Sequence, residues 1–314
     1  MGLERVNAEA FRGTFLGRLL AEGEFRFDRL EISGIDNHPV FRVNAPDMPE
    51  QEICLFQKSV ASGDAYVRFI GERVVTGMRE RKSVPVVRFA DGEYAFYDLS
   101  LKCNGLYLQA ESVEAIRRAL PLHVEALRFI AGTGMIAPLV FPGNVRRRGG
   151  LAALLGKRRG DDSAIRFLEF LGKNGIYLTG SNYVPFYAVY AWLSSDAFAK
   201  AVDGATVCVV NSDFDGAACE DWFGRAGSRP RIIHAPIPGS CVATQWDAMR
   251  EEVLRKIPGD ADLCLVGAGA GALPACVDIA RRSGVPAIDG GHILNMMNAL
   301  ERKSGGPRLY TYRR

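Results

Sequence analysis

From residue 84 onward the chain alternates short, nearly uninterrupted apolar runs with helical stretches, and few folds satisfy that order. The runs are "VPVVRFA" (84–90), "GIYLTG" (175–180), "ATVCVVN" (205–211), "RIIHAP" (231–236), "DLCLVGAG" (262–269) and "VPAIDG" (285–290). Strands that lack polar alternation are covered on both faces, as in parallel sheets. Between them lie "SVEAIRRALPLHVEALRFI", "AIRFLEFLGK", "VPFYAVYAWLSSDAFAKAV", "CVATQWDAMREEVLRKI" and "ALPACVDIARRSG", each with helical spacing of its apolar residues. The order predicts an α/β fold, a Rossmann-like, mostly parallel sheet with helices on both faces.

Residues 1–80 read differently, as an N-terminal α+β extension placed before a catalytic-type domain at 81–314. A helix over about 5–21 leads into "EFRFDRLEISGIDNHPVFRV", whose turn-like centre suggests short strands, and a second helical run follows over roughly 50–80. The start lacks a signal-peptide apolar region, and no run approaches the ~18 residues of a membrane span. A net charge of +3 is too small for a general nucleic-acid binder. The seven cysteines form no CxxC pair, and Cys208 and Cys264 sit inside apolar runs, so a reduced, cytoplasmic setting is expected.

In such sheets ligands bind beyond the carboxyl ends of the strands. Asp91-Gly92-Glu93 stands at one such end, and two carboxylates at i and i+2 on a turn can converge on one hard cation, Mn²⁺ or Mg²⁺. Arg88 can pair with these acids or with a phosphate. Farther on, Gly267, Gly269 and Gly271 open a helix whose free N–H groups suit a diphosphate, and Asp289, at the end of the next strand, stands where dinucleotide folds keep a ribose-binding acid. Asp213 and Asp215 form a second strand-end acid pair, readable as a metal clamp, a general base or a helix cap. His292 can bind phosphate, orient Asp289 or act as a base. Ser181 and Asn182 can cap a helix or bind phosphate, and Tyr183 can stack on a base or a sugar face. A basic loop, 146–159, with Leu151, Leu154 and Leu155, reads either as a solvated loop or as a dock for anionic material, including an anionic membrane face.

The run Arg88-Phe89-Ala90-Asp91-Gly92-Glu93, followed far downstream by a glycine-rich turn and by Ala287-Ile288-Asp289-Gly290-Gly291-His292-Ile293, resembles the GT-D-type glycosyltransferases, the former DUF1792 group. The resemblance spans roughly 80–300 and departs at Ala90, where glycine is usual, and at Gly290. It implies a metal-dependent transfer from a nucleoside-diphosphate sugar, a UDP-sugar first among them, to a glycan, glycoprotein or lipid-linked hydroxyl. It implies Asp91 and Glu93 as metal ligands and leaves the acceptor and the base open. Two further readings stand beside it. One is an NAD(P)-dependent oxidoreductase using the Gly267–Gly271 turn and Asp289. The other is a non-catalytic nucleotide or sugar-phosphate binder.

Overall fold

The computed structural model describes residues 64–104, 107–140, 144–145 and 161–299. The early helix, the short strands before residue 63 and the basic loop 146–159 lie outside the described residues. The first described helix, α1 (Asp64–Glu80), is followed by β1 (Val84–Phe89), α2 (Asp91–Tyr97), α3 (Val113–Thr133), β2 (Met135–Pro138), α4 (Ser163–Lys173), α5 (Phe186–Leu193) and α6 (Asp196–Val202). The second half runs β3 (Thr206–Asn211), α7 (Gly216–Arg225), β4 (Arg231–Pro236), α8 (Val242–Lys256), β5 (Leu263–Gly267), α9 (Ala272–Ser283), β6 (Pro286–Asp289) and α10 (His292–Met297).

The six strands form one sheet of order β2-β1-β6-β5-β3-β4, and every pairing is parallel. All six residues of β1 and of β3 are buried, as continuous apolar runs require. Alternate residues feed two cores. Val87, Phe89, Cys208, Val210 and Val266 face α3, α4, α8 and α9, whereas Val86, Val207, Val209, Leu265 and Ile288 face α1, α5, α6, α7 and α10. Ile70 and Val74 of α1 belong to the second core, so this helix packs directly on the sheet.

The winding direction fixes where a ligand can enter. The connections β1 to β2, β4 to β5 and β5 to β6 cross the first face, and β3 to β4 crosses the second by way of α7. The direction therefore reverses between β3 and β5, and the loops leaving these neighbours part to opposite faces. In open parallel sheets that is the switch point.

Three expectations need correction. No strand forms over 175–180. Its backbone is held by the Asn182 side chain, which accepts from Thr179 N–H (2.7 Å) and donates to the Tyr177 carbonyl (3.0 Å), and only Tyr183 bridges to Ile136. The sixth strand is instead "MIAP", β2, entered straight from α3 through Gly134. A Cβ at residue 134 would meet Ile130 Cγ1 at 2.7 Å and crowd the Pro85 carbonyl, so the turn demands glycine. The helix expected over 184–202 splits in two. Ser194 and Ser195 hydroxyls donate back to the carbonyls of Tyr190 and Trp192, and Ser195 then caps α6 by accepting from Phe198 N–H at 3.1 Å. Finally, "DGE" is the first turn of a helix rather than a turn that ends a strand.

His123 of α3 lies fully buried between α2 and α8. Its Nε2 donates to the Ala243 carbonyl (2.8 Å) and its Nδ1 accepts from the Tyr97 hydroxyl (3.0 Å), which fixes the neutral tautomer. Burial lowers its pKa from 6.5 to about 4. A depressed histidine pKa means that the unfolded chain takes the proton first, so stability is full above pH 6.5 and falls as the pH drops towards 4. Measured by urea unfolding across that window, the wild type should lose about 3 kcal/mol relative to His123→Gln, a difference from which carboxyls common to both proteins cancel. An unchanged pH slope in the variant would remove His123 as the source.

Candidate active site

Helix α2 begins directly at the carboxyl end of β1. Ala90 is its N-cap, in extended conformation, and its N–H donates to Glu93 Oε2 at 2.8 Å, so Glu93 caps its own helix. Burial pushes the Glu93 carboxyl up to about 7; the Ala90 bond works against this, and the charges of Asp289 and Arg88 act on it in opposite directions. Asp91 is exposed, and its carboxylate makes no hydrogen bond or ion pair among the described residues. No atom lies within 4 Å of where a Gly92 Cβ would stand, so packing does not require that glycine and the helix is open on this side. The apolar half of α2, Tyr94, Phe96 and Tyr97, is buried in the first core, with Tyr94 and Tyr97 against Phe167 of α4 and Phe96 against His123 of α3.

Beneath this turn lies a buried charge cluster. Arg88 is 7% exposed. Its Nη2 donates to Asp289 Oδ1 at 2.7 Å and its Nε to the Asp289 carbonyl at 2.9 Å, and the Arg88 backbone N–H reaches Asp289 Oδ2 at 3.3 Å. Nη1 donates to the Tyr190 hydroxyl, and the guanidinium lies over the Tyr190 and Phe186 rings at 4.2 and 4.9 Å. Burial opposes the Arg88 charge, and Asp289 more than restores it, holding the guanidinium above its ordinary pKa. Burial pushes the Asp289 carboxyl up, with Arg88 working against that. Any side chain at residue 291 would collide with the guanidinium and meet the Tyr190 hydroxyl at 2.9 Å, and Gly291 has φ of +42°. His292 follows as the first residue of α10, its N–H 3.4 Å from that hydroxyl.

The glycine-rich turn stands at the end of β5 and packs against α2. It opens α9 through one turn of 3-10 helix, Gly269–Gly271, with Gly269 at φ of +53°. Gln109, which no sequence motif marks, sits on it. Gln109 Oε1 accepts from Ala270 N–H at 2.8 Å, and its amide covers Gly269 so closely that a Cβ there would collide. Residues 107–111 form a strap across this edge. The Leu108 carbonyl accepts from Cys241 N–H (2.6 Å), the Tyr107 hydroxyl accepts from Asn295 Nδ2 (3.2 Å), and Glu111 accepts from the Thr244 hydroxyl (2.6 Å). A Cβ on Gly271 would meet Val242 Cγ1 at 2.6 Å and Ala243 N at 2.8 Å, so its absence serves helix packing. Local sequence hides the strap because, apart from the Asn104 side chain, which bonds the backbone of Gln109 and Ala110, its anchors lie more than a hundred residues away.

The second acid pair lies beyond β3. Asp215 is the N-cap of α7, its Oδ1 accepting from Ala218 N–H at 3.0 Å, and its own N–H donates to Asn298 Oδ1 at 2.7 Å. Asp213 is exposed and accepts from the Ser212 hydroxyl at 3.2 Å.

The carboxyl edge thus brings together Arg88, Asp91, Gly92, Glu93, the Gly267–Gly271 turn, Asp289 and His292, with Asp213 and Asp215 farther along it. Ser181, Asn182 and Tyr183 are not among them. Asn182 Nδ2 donates to the Ala131 carbonyl at 3.0 Å, and Arg73 bridges the carbonyls of Ser181 and Thr133, which puts this segment beside the end of α3 at the amino edge of the sheet. Tyr183 is buried, edge-on to Tyr66.

Two solved structures are similar to the chain. One is described as "Selenomethionine substituted structure of domain of unknown function 1792 (DUF1792)", with a TM-score of 0.40 and 15% identity over 76% of this chain and 86% of the other. The second is described as "The highly conserved domain of unknown function 1792 has a distinct glycosyltransferase fold", with a TM-score of 0.43 and 16% identity over 78% and 86%. No family model and no curated protein matches the chain. Among the described residues no helix is long and apolar enough to cross a membrane.

Proposed function

We propose that the chain is a metal-dependent glycosyltransferase that moves a sugar from a nucleoside-diphosphate sugar to a hydroxyl acceptor. The observation that carries this reading is the acid pair Asp91 and Glu93, presented at the carboxyl end of a fully buried strand over an ion pair that fixes the strand's neighbour. The donor set suits Mg²⁺ or Mn²⁺. Carboxylate oxygens are hard donors, and Asp91 is exposed and uncommitted. Glu93, two positions on in the same helical turn, keeps one oxygen on the Ala90 N–H and would have to turn the other towards a shared ion. No group of three or more His, Cys, Asp or Glu side chains that could hold a metal stands among the described residues. Such ions keep open positions for water and phosphate oxygens. When bound, the ion would neutralise charge on the departing diphosphate.

The chain's own residues then have distinct tasks. Arg88 and Asp289 hold the ends of β1 and β6 together, so the turns that carry Glu93 and His292 keep a fixed spacing. β6 is the neighbour of β1, and we read His292, the first residue of the helix after β6, as a base or a hydrogen-bond donor to phosphate beside the acid pair. Of the two acids past β3, Asp213 bonds only the hydroxyl of its neighbour Ser212 among the described residues, whereas Asp215 is committed to capping α7.

The oxidoreductase reading needs Asp289 for a ribose. Its carboxylate is instead bound by Arg88 on both oxygens, and the Ala270 N–H is taken by Gln109.

A thermal-shift panel of UDP, GDP, CMP, UDP-glucose, GDP-mannose and NAD⁺, each with and without Mn²⁺, tests the proposal. A ligand at 100 times its Kd adds about 2.7 kcal/mol. A shift with one nucleotide or nucleotide-sugar that requires Mn²⁺ is expected. A metal-independent shift with NAD⁺ alone overturns the reading. A metal-dependent shift with no transfer to any hydroxyl acceptor would leave a binding protein.

A further inference from the structure

We infer that Asn211, at the switch point between β3 and β5, is a ligand-binding residue that receives a ring hydroxyl of the donor. The inference rests on the nucleotide-sugar reading and adds where one end of the donor lies.

Strand β3, "TVCVVN", is apolar through its centre and ends in this one amide, which is 5% exposed. The Asn211 carbonyl is fully used, accepting from Ile237 N–H at 3.2 Å and from His234 Nε2 at 3.0 Å. The side chain is different: its Oδ1 is buried and has no hydrogen-bond partner. Buried amide oxygens are nearly always satisfied, and an exception calls for a missing partner. The residue beside it in register is Gly267, the last residue of β5. A Cβ on Gly267 would lie 3.0 Å from Leu294 Cδ1 and 3.3 Å from Asn211 Cβ, so glycine keeps the wall next to the amide thin. The winding of the sheet reverses between these two strands, where open parallel sheets admit ligands.

The partner's chemistry follows from the amide. A phosphate offers no donor to an acceptor oxygen. A hydroxyl both donates and accepts, so it satisfies the buried end of an asparagine amide whichever way that amide is turned. β3 stands three strands from β1, about 14 Å along the edge at the spacing of a sheet. A donor whose diphosphate sits at Asp91 and Glu93 can lay its ribose or its transferred sugar here. Both carry ring hydroxyls, and the test separates them.

Asn211→Leu keeps the shape and removes the polar atoms. Binding of inorganic pyrophosphate, UDP and UDP-glucose is measured by calorimetry at fixed Mn²⁺, with GDP and GDP-mannose run in parallel, and thermal midpoints are recorded without ligand. The expected result is an affinity about tenfold weaker for the ligand that carries the hydroxyl, with pyrophosphate unaffected and a midpoint at or above that of the wild type. A loss shared by nucleoside diphosphate and nucleotide-sugar assigns the ribose. A loss for the nucleotide-sugar alone assigns the transferred sugar. Asn211→Ala, which leaves space rather than filling it, should repeat the affinity loss if leucine proves too large. A lowered midpoint with unchanged affinity means that ordered water satisfies the amide, and it overturns the inference alone. An equal loss for pyrophosphate also overturns it. A wild-type protein that binds none of these probes overturns this inference and the transferase reading together.

Discussion

Asp91→Asn should cut sugar transfer by roughly a hundred- to a thousandfold and leave the unfolding free energy within about 1 kcal/mol of the wild type. The loss follows from neutralising the one exposed, uncommitted carboxylate of a site whose work is electrostatic, where single groups carry effects of that size. The small cost in stability follows from exposure. Asp91 touches no partner among the described residues, and only its favourable position at the N-terminus of α2 is given up, a matter of about 0.3–1 kcal/mol. Glu93 divides differently, because it also caps the helix. Glu93→Ala should lose activity to the same extent and about 1 kcal/mol of stability besides, since the Ala90 N–H loses its acceptor. Glu93→Gln retains an acceptor oxygen for that N–H, so it should recover stability without recovering activity. Transfer assays with urea unfolding on the three variants check the pattern. Full activity in Asp91→Asn would end the metal-site assignment.

The largest effect on stability is expected at Arg88. Arg88→Met leaves the Asp289 carboxylate buried without its cation, and breaking one side of such a pair costs about 3–5 kcal/mol. Arg88→Lys keeps a charge but cannot donate at once to the Asp289 carboxylate, the Asp289 carbonyl and the Tyr190 hydroxyl, so it should recover only part of the loss. The double variant Arg88→Met with Asp289→Leu removes both charges and should be far more stable than either single change would suggest when summed. Activity should not return with it, because the backbone at Gly291 and the entry to α2 lose their common anchor. Denaturant titrations of the wild type, Arg88→Met, Asp289→Leu and the double variant give the coupling directly. Additive losses would show that the two side chains act independently.

The sheet was readable where a strand is buried on both faces, because "TVCVV", "DLCLV" and "VPVVRF" leave no polar face to confuse the period. It was unreadable where length or local bonding decided the outcome. β2 has four residues and follows a 21-residue helix after a single glycine, too short a run and too brief a break to stand out as a strand. "GIYLTG" has strand composition, yet the Asn182 side chain takes the backbone groups that a ladder would have used. The acid pair was visible by type and spacing, but not its helix, because the cap is a glutamate bonding backwards to alanine rather than a serine bonding forwards. Arg88 and Asp289 were each visible as polar residues at strand ends. Their union spans 201 positions, and no local pattern encodes it. The same distance hid Gln109 from the turn that it covers, 161 positions away.

The pairing of β1 with β6 has a consequence in time. Strand β1 is among the earliest elements of the described chain and β6 the last strand, yet they are neighbours near the middle of the sheet. Until β6 has been synthesised, β2-β1 and β5-β3-β4 remain two separate ribbons, each with an apolar edge open to wrong partners. Contacts of such sequence separation slow folding and lengthen that exposure. The acid pair and the switch point belong to different ribbons, so neither can meet a shared ligand until the final insertion closes the gap. In a chain made from its N-terminus, the carboxyl edge that carries both is continuous only once β6 has joined the sheet.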